Sequence, residues 1–316
     1  MNTIKTTLLL AVLTVLLVLA GGAIGGQQGM ILALFLAAAM NFFSYWYSDK
    51  IILRMYRAQP VTESQAPELF AMVRELTQKA GLPMPKICVM EQNTPNAFAT
   101  GRDPDHAVVA VTTGIVNLLS PRELRGVISH ELAHVKHRDI LVGSVAATLA
   151  GAIMFLASMA RWSMIFGGGS GDDDEGGGAL GMVGVLMMSI LAPLAAMLVQ
   201  MAVSRSREYG ADQGGADMSG DPEALASALA KLEQANQRRP MPQARPQTAH
   251  MFTVSPLSGS GLAGLFSTHP PIAERVARLR QMTGSGQVPP PPPRANISRP
   301  DPPPPPRGGR GSIDWS

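Results

Sequence analysis

The chain has 316 residues, of which 46% are hydrophobic and only 16% charged, with a net charge of +3 and a mean hydropathy of +0.13. So positive a hydropathy with so few charges argues against a purely water-soluble protein and for membrane spans beside a folded domain. The pI of about 9.2 comes largely from arginines that flank apolar runs or lie in the C-terminal tail, so no nucleic-acid partner is needed to explain it, and a single cysteine, Cys88, excludes an intramolecular disulfide.

No charged residue lies between Lys5 and Asp49. That stretch is too long for one bilayer crossing and suits two, predicted at residues 6 to 25 and 30 to 47, with the glycines between Gly21 and Gly29 as a flexible middle. Tyr45, Trp46 and Tyr47 read as an interfacial aromatic belt. A cleaved secretory signal is the rival reading of the first span, with Lys5 as its basic region and Val18-Leu19-Ala20 as its cleavage site; the second apolar run that follows at once argues against it. A helix is predicted from about Ala66 to Ala80, closed by Gly81, and then short strands near 86 to 91 and 107 to 112. Cys88 falls in the first strand's apolar run and reads as a buried residue, not a nucleophile. Between the strands, Asn96, Ala97, Phe98 and Ala99 of PNAFATG suit either an edge strand able to align a peptide backbone or a plain loop.

Ser120-Pro121-Arg122-Glu123 reads as a capping box opening a helix, and Leu124, Val127, Ile128, Leu132 and Val135 mark its buried face. On that helix His130-Glu131-Leu132-Ala133-His134 places two imidazoles one turn apart, so both can reach a single zinc ion while Glu131 holds the water that attacks a carbonyl and takes its proton. Two histidines leave zinc short of its usual three protein ligands. His137 is the nearest candidate, but a ligand one turn further along a straight helix moves away from the metal, and no glycine turns the chain back. The other candidate is Glu208 in Ser204-Arg205-Ser206-Arg207-Glu208-Tyr209-Gly210-Ala211-Asp212. There Glu208 can bind the metal while Asp212, one turn on, accepts an N–H from a ligand imidazole; a solvated helix with Arg/Glu pairing is the rival reading.

Two further apolar runs are predicted as spans at about 140 to 161 and 179 to 202, against the alternative of buried core helices. Further helices are expected from Asp221-Pro222-Glu223 and near 271 to 282. Residues 237 to 262, rich in Gln, Pro, Ser and Gly, read as a mobile loop over the cleft or as a linker. His269, Tyr209 and Arg275 are the candidate donors for the oxyanion that forms during hydrolysis, with a structural or capping role as the alternative for His269. The tail from 284 to 316 carries two runs of five prolines and reads as a disordered, extended, solvated spacer, with Pro-rich docking to a partner or arginine contact with anionic lipid as the weaker alternatives.

HELAH, followed after a long apolar insertion by SRSREYGAD, resembles the HtpX family of membrane-bound zinc metalloproteases, relatives of the CAAX prenyl endopeptidases. PNAFATG and FSTHPP with Glu274-Arg275 match that family's pattern as well, and the resemblance covers about residues 1 to 282. It implies that His130, His134 and Glu208 bind one Zn²⁺ per subunit, that Glu131 is the catalytic residue, and that Asn96 to Ala99 form a substrate-aligning edge. It also implies polypeptide substrates, a stress-response role in the quality control of misfolded or damaged membrane and cytosolic proteins, and quality-control proteases as partners. The Pro-rich tail departs from the family pattern.

The fold expected is a mainly α membrane protein in which four transmembrane helices carry a cytoplasmic α+β zincin-like protease domain. Residues 1 to 57 form one transmembrane hairpin and 140 to 204 another; 58 to 139 and 205 to 283 are the two halves of the protease domain. Lys50, Arg54, Arg57, Lys136, Arg138, Arg205 and Arg207 flank the spans on the side of the zinc motifs, while Asp172-Asp173-Asp174-Glu175 lies on the other. The zinc site and both termini are therefore expected on the cytoplasmic face of a bacterial inner membrane. Two alternatives stand beside the protease: a catalytically idle membrane scaffold, disfavoured because no element of the zinc motif is missing, and a CAAX-type prenyl endopeptidase, disfavoured because four spans do not make a large enclosed chamber.

Overall fold

The computed structural model describes residues 2–150, 205–238, 241, 245, 248–255 and 269–283. Most of the predicted third span, all of the fourth, the acidic stretch between them and the Pro-rich tail lie outside the described residues.

The first helix, α1 (Asn2–Met55), is helical throughout, yet it is not a straight rod. Asn41 Nδ2 donates to Thr14 Oγ1 at 2.9 Å across a separation of 27 residues, which a straight helix would place about 40 Å apart. The reversal falls at Gly26, whose φ is +57°, a left-handed conformation that glycine adopts without a Cβ clash. The neighbouring glycines serve packing: a Cβ on Gly21 would lie 2.5 Å from Gly29 O. Where a flexible glycine middle was expected, the chain turns within one residue and stays helical on both sides. Among the described helices, Gly26–Met55 is the one long and apolar enough to cross a membrane. Phe42, Phe43, Tyr45, Trp46 and Tyr47 are exposed along it, and Arg102, from a loop of the folded domain, lies 5.0 Å over the Trp46 ring.

The folded domain is built on a four-stranded sheet of β1 (Gln59–Pro60), β2 (Lys86–Met90), β3 (Ala97–Thr100) and β4 (Val108–Thr112), in the order β1-β2-β4-β3. β2 and β4 run parallel with Cys88 opposite Ala110, and β3 pairs antiparallel to β4 with Ala97 opposite Val111. These strands are apolar at nearly every position because both faces are covered. One face, including Ile87, Val89, Val109 and Val111, joins the main core with α2 (Pro67–Ala80). The other, with Cys88, Met90, Phe98 and Ala110, packs on Ile52, Tyr56 and Phe252. Burial pushes the Cys88 thiol up to about 11, so it remains a protonated core side chain.

After α3 (Thr113–Leu118) comes α4 (Pro121–Lys136), opened by the capping box: Ser120 N donates to Glu123 Oε2 and Glu123 N to Ser120 Oγ. The apolar helix α5 (Asp139–Ala150) follows directly. Beyond residue 204 lie α6 (Arg205–Ser219), α7 (Pro222–Arg238) and α8 (Ile272–Met282). Asp221 Oδ1 accepts from Ala224 N at 3.1 Å, capping α7, and Arg122 of α4 grips the same carboxylate. α4 meets α6 backbone to backbone: a Cβ on Gly215 would lie 2.8 Å from His130 N.

Candidate metal centre

Helical spacing puts His130 and His134 on the face of α4 that looks at α6, with their rings 4.8 Å apart and nearly perpendicular. α6 supplies Glu208. Its Oε2 is 3.9 Å from His130 Nε2 and its Oε1 3.6 Å from His134 Nε2, and the three side chains offer one atom each within 4.8 Å of one another. Tetrahedral ligands about 2.1 Å from a zinc ion stand roughly 3.4 Å apart, so a small contraction of this cluster would hold one. Glu208 Oε2 is buried without a hydrogen bond among the described residues, as an oxygen reserved for a cation would be. His137, the alternative ligand, sits exposed at the C-cap of α4, outside the cluster.

Each imidazole is turned by a carboxylate behind it. His130 Nδ1 lies 3.0 Å from Asp212 Oδ1, and His134 Nδ1 donates to Asp139 Oδ2 at 3.2 Å. With a metal bound, a proton kept at each Nδ1 would leave both Nε2 lone pairs for the ion, the tautomer that metal ligation requires. Asp212 is itself clamped by Arg275, whose Nε and Nη2 donate to its two oxygens at 2.8 and 2.7 Å. Burial opposes ionisation of Asp212, but that guanidinium outweighs it and holds the carboxyl at about 2. Burial likewise opposes a charge on Glu208, and His269, His134 and Arg275 around it keep its carboxyl well below the usual range. Burial works against a proton on His134, yet the hydrogen bond to Asp139 and the carboxylates of Glu208 and Glu131 lift it to about 9. Such an excess of buried negative charge is the field a divalent cation neutralises.

Glu131, 2% exposed, lies beside the cluster and accepts from Thr253 Oγ1 at 2.6 Å. The segment carrying Thr253 runs along β3. Thr253 N donates to Ala97 O at 3.0 Å, and Asn96 Nδ2 to Val254 O at 2.7 Å. β3 is thus an edge strand by sheet order, and it is buried because part of that edge is taken by the chain's own residues. Phe98 points into the core against Tyr56 and Phe252, while Ala99 lines the cleft together with Glu131, His134, Arg207, Glu208 and His250. His250 donates through Nε2 to Gly143 O, and burial pushes it down to about 4, so it is neutral.

The three candidate oxyanion donors separate in space. His269 Nδ1 is 3.2 Å from Glu208 Oε2. Arg275 is fully buried with its donors committed to Asp212 and to Thr253 O. Tyr209 lies under the exposed guanidinium of Arg278, 3.7 Å from the ring, and is removed from the cleft. Asp139, Arg207, His250 and Thr253 were missed as site residues. Asp139 could have been found, since an acid follows His134 closely in HVKHRD; Thr253 and His250 carry no local motif.

Residues 63–283 match the model of Peptidase family M48. The chain belongs to that family. It is 60% identical over 285 residues to the protease HtpX homolog of Desulforapulum autotrophicum, covering 90% of this chain and 91% of the relative. Against the protease HtpX homolog of Syntrophobacter fumaroxidans it is 59% identical over 278 residues, covering 88% and 98%. The crystal structure of S. mikatae Ste24p is similar in fold, with a TM-score of 0.50 at 20% identity over 88% of this chain and 65% of the other. The M48 chain is a membrane-bound metalloprotease, and its His130, His134 and Glu208 are compatible with a metal site.

Proposed function

We propose that this M48 protein is a zinc endopeptidase of a bacterial inner membrane that cuts misfolded or damaged membrane and cytosolic polypeptides at the cytoplasmic face. The observation that carries the reading is the convergence of His130, His134 and Glu208 with Glu131 beside them and a carboxylate behind each imidazole. Zinc, when bound there, supplies a Lewis acid for the scissile carbonyl and brings the pKa of a water near 7. Glu131 then takes the proton of the attacking water and passes it to the leaving amine. Thr253 holds one oxygen of that carboxylate in place. His269, next to Glu208, is placed to donate to the carbonyl oxygen as charge grows on it. Of the edge residues Asn96, Ala97, Phe98 and Ala99, the last lines the cleft and is best placed to pair with a substrate backbone.

The basic residues that flank the apolar runs support a cytoplasmic site and cytoplasmic termini. The domain plan goes with them: transmembrane hairpins at 1 to 57 and 140 to 204, a protease domain from 58 to 139 and 205 to 283, and the tail beyond. Substrate polypeptides, the membrane and other quality-control proteases are the partners this implies. The idle-scaffold reading is not favoured, because base and ligands stand together.

The test is zinc content and proteolysis of the full chain in detergent, wild type against Glu131→Gln. Zinc retained and proteolysis lost is the expected result. Proteolysis unchanged in the variant overturns the mechanism.

A further inference from the structure

The metal cluster opens onto a cleft lined by Ala99, Glu131, His134, Arg207, Glu208 and His250. β3 contributes Ala99 to its lining, and α6 contributes Arg207. Arg207 directly precedes Glu208, so it is turned about 100° around α6 from the metal ligand and faces the adjoining part of the cleft. Its Nη1 is buried and has no hydrogen-bond partner among the described residues. A buried donor left unmade is costly, and active sites are where such groups find their partner in a ligand. Arg275, the other arginine near the metal, has no such spare capacity, since it serves Asp212 and Thr253.

We propose that Arg207 is a substrate-binding residue that donates to a neutral oxygen of the polypeptide, a backbone carbonyl close to the scissile bond. The inference rests on the cleft being the peptide groove of the proposed protease. The acceptor is identified by charge balance. Glu131, Asp139 and Glu208 bring three negative charges to the cleft. Arg207 and a divalent cation offset them, and His250 is neutral with its Nε2 proton given to Gly143 O. A substrate carboxylate would upset this balance, whereas a carbonyl supplies the missing acceptor without charge. A contact to a carbonyl away from the reacting carbon is made equally in ground and transition states, so its loss falls on KM.

The experiment uses the full chain loaded with zinc. In a Glu131→Gln background, binding of a fluorescent extended peptide is expected to weaken about tenfold with Arg207→Met and less with Arg207→Gln, which keeps a neutral donor. In the active enzyme Arg207→Met is expected to raise KM about tenfold with kcat within twofold and zinc content unchanged. Peptides that differ only by Glu against Gln should lose binding equally. A loss confined to the acidic peptide overturns the carbonyl assignment, and a fall in zinc content or in kcat alone assigns Arg207 to the metal or to the transition state instead. Unchanged binding in both variants also overturns it. Should Arg207→Met fail to fold, Arg207→Gln and Arg207→Lys carry the same comparison.

Discussion

Asp139 Oδ2 accepts a hydrogen bond from His134 Nδ1 at 3.2 Å, and the far nitrogen of that ring faces Glu208. Asp139 opens α5, just past Arg138, whose φ of +58° ends the preceding helix. The carboxylate that orients the His134 ring is thus delivered by the apolar segment rather than by the helix that carries the histidines. Replacing it by Asn keeps the shape and removes the charge. Asp139→Asn is expected to weaken zinc binding by about 10- to 100-fold with secondary structure intact, as read by competition with a chromophoric chelator.

Arg275 is the opposite case, because it is fully buried and neutralises Asp212 while lying 3.6 Å from Glu208. Arg275→Met strands the buried Asp212 carboxylate and removes one of the positive groups around Glu208, for which about 3–5 kcal/mol of destabilisation is expected. Thermal unfolding should show it. A double variant with Asp212→Leu should recover part of the loss, since it removes the stranded charge.

Thr253 tests the positioning of Glu131, the proposed base. Thr253→Val keeps the shape of the side chain and deletes the donor 2.6 Å from Glu131 Oε1. A roughly tenfold fall in kcat is expected, with zinc content and KM unchanged and with Thr253→Ser restoring most of the activity.

A pH dependence follows from Glu123, which closes the capping box and also binds Ser227 and Lys231. Burial alone would raise its pKa, but those bonds hold it down at about 2. A carboxyl depressed in the folded state contributes its stability above the unfolded value near 4.5 and loses it as pH falls toward 2. Up to about 3 kcal/mol should be lost across that window. Glu123→Gln should flatten the acid limb of a stability profile measured by urea unfolding.

The sequence made those features legible that are written locally. The capping box, the apolar spacing from Leu124 to Val135 and the four-residue interval of His130 and His134 all belong to one helix. Glu208 and Asp212 were readable in the same way, as one turn of another. Asp139 was readable in principle, since it stands close behind His134. Thr253 and Arg207 were not, because what sets each apart is its surroundings in the cleft, built from segments far off in the chain, and that leaves no mark on its sequence neighbours. The turn at Gly26 was hidden for a related reason: five glycines lie from Gly21 to Gly29, and only the left-handed φ of Gly26 and contacts such as that of Asn41 with Thr14 show which one reverses the chain.

The close passage of α6 over α4 has a consequence for how the site survives without its ion. Gly215 meets the His130 backbone with no side chain between them, so the approach of the two helices is set by main-chain atoms, and holding the metal asks only for a small shift of Glu208 and the imidazoles. The cage stands on its own scaffolding. Stripping the ion with a chelator should therefore abolish cleavage while circular dichroism stays unchanged, unlike small zinc modules that unravel when emptied. An added methyl at Gly215 would act as a wedge, prising one ligand from the other two and unmaking the cage while the metal is still in solution.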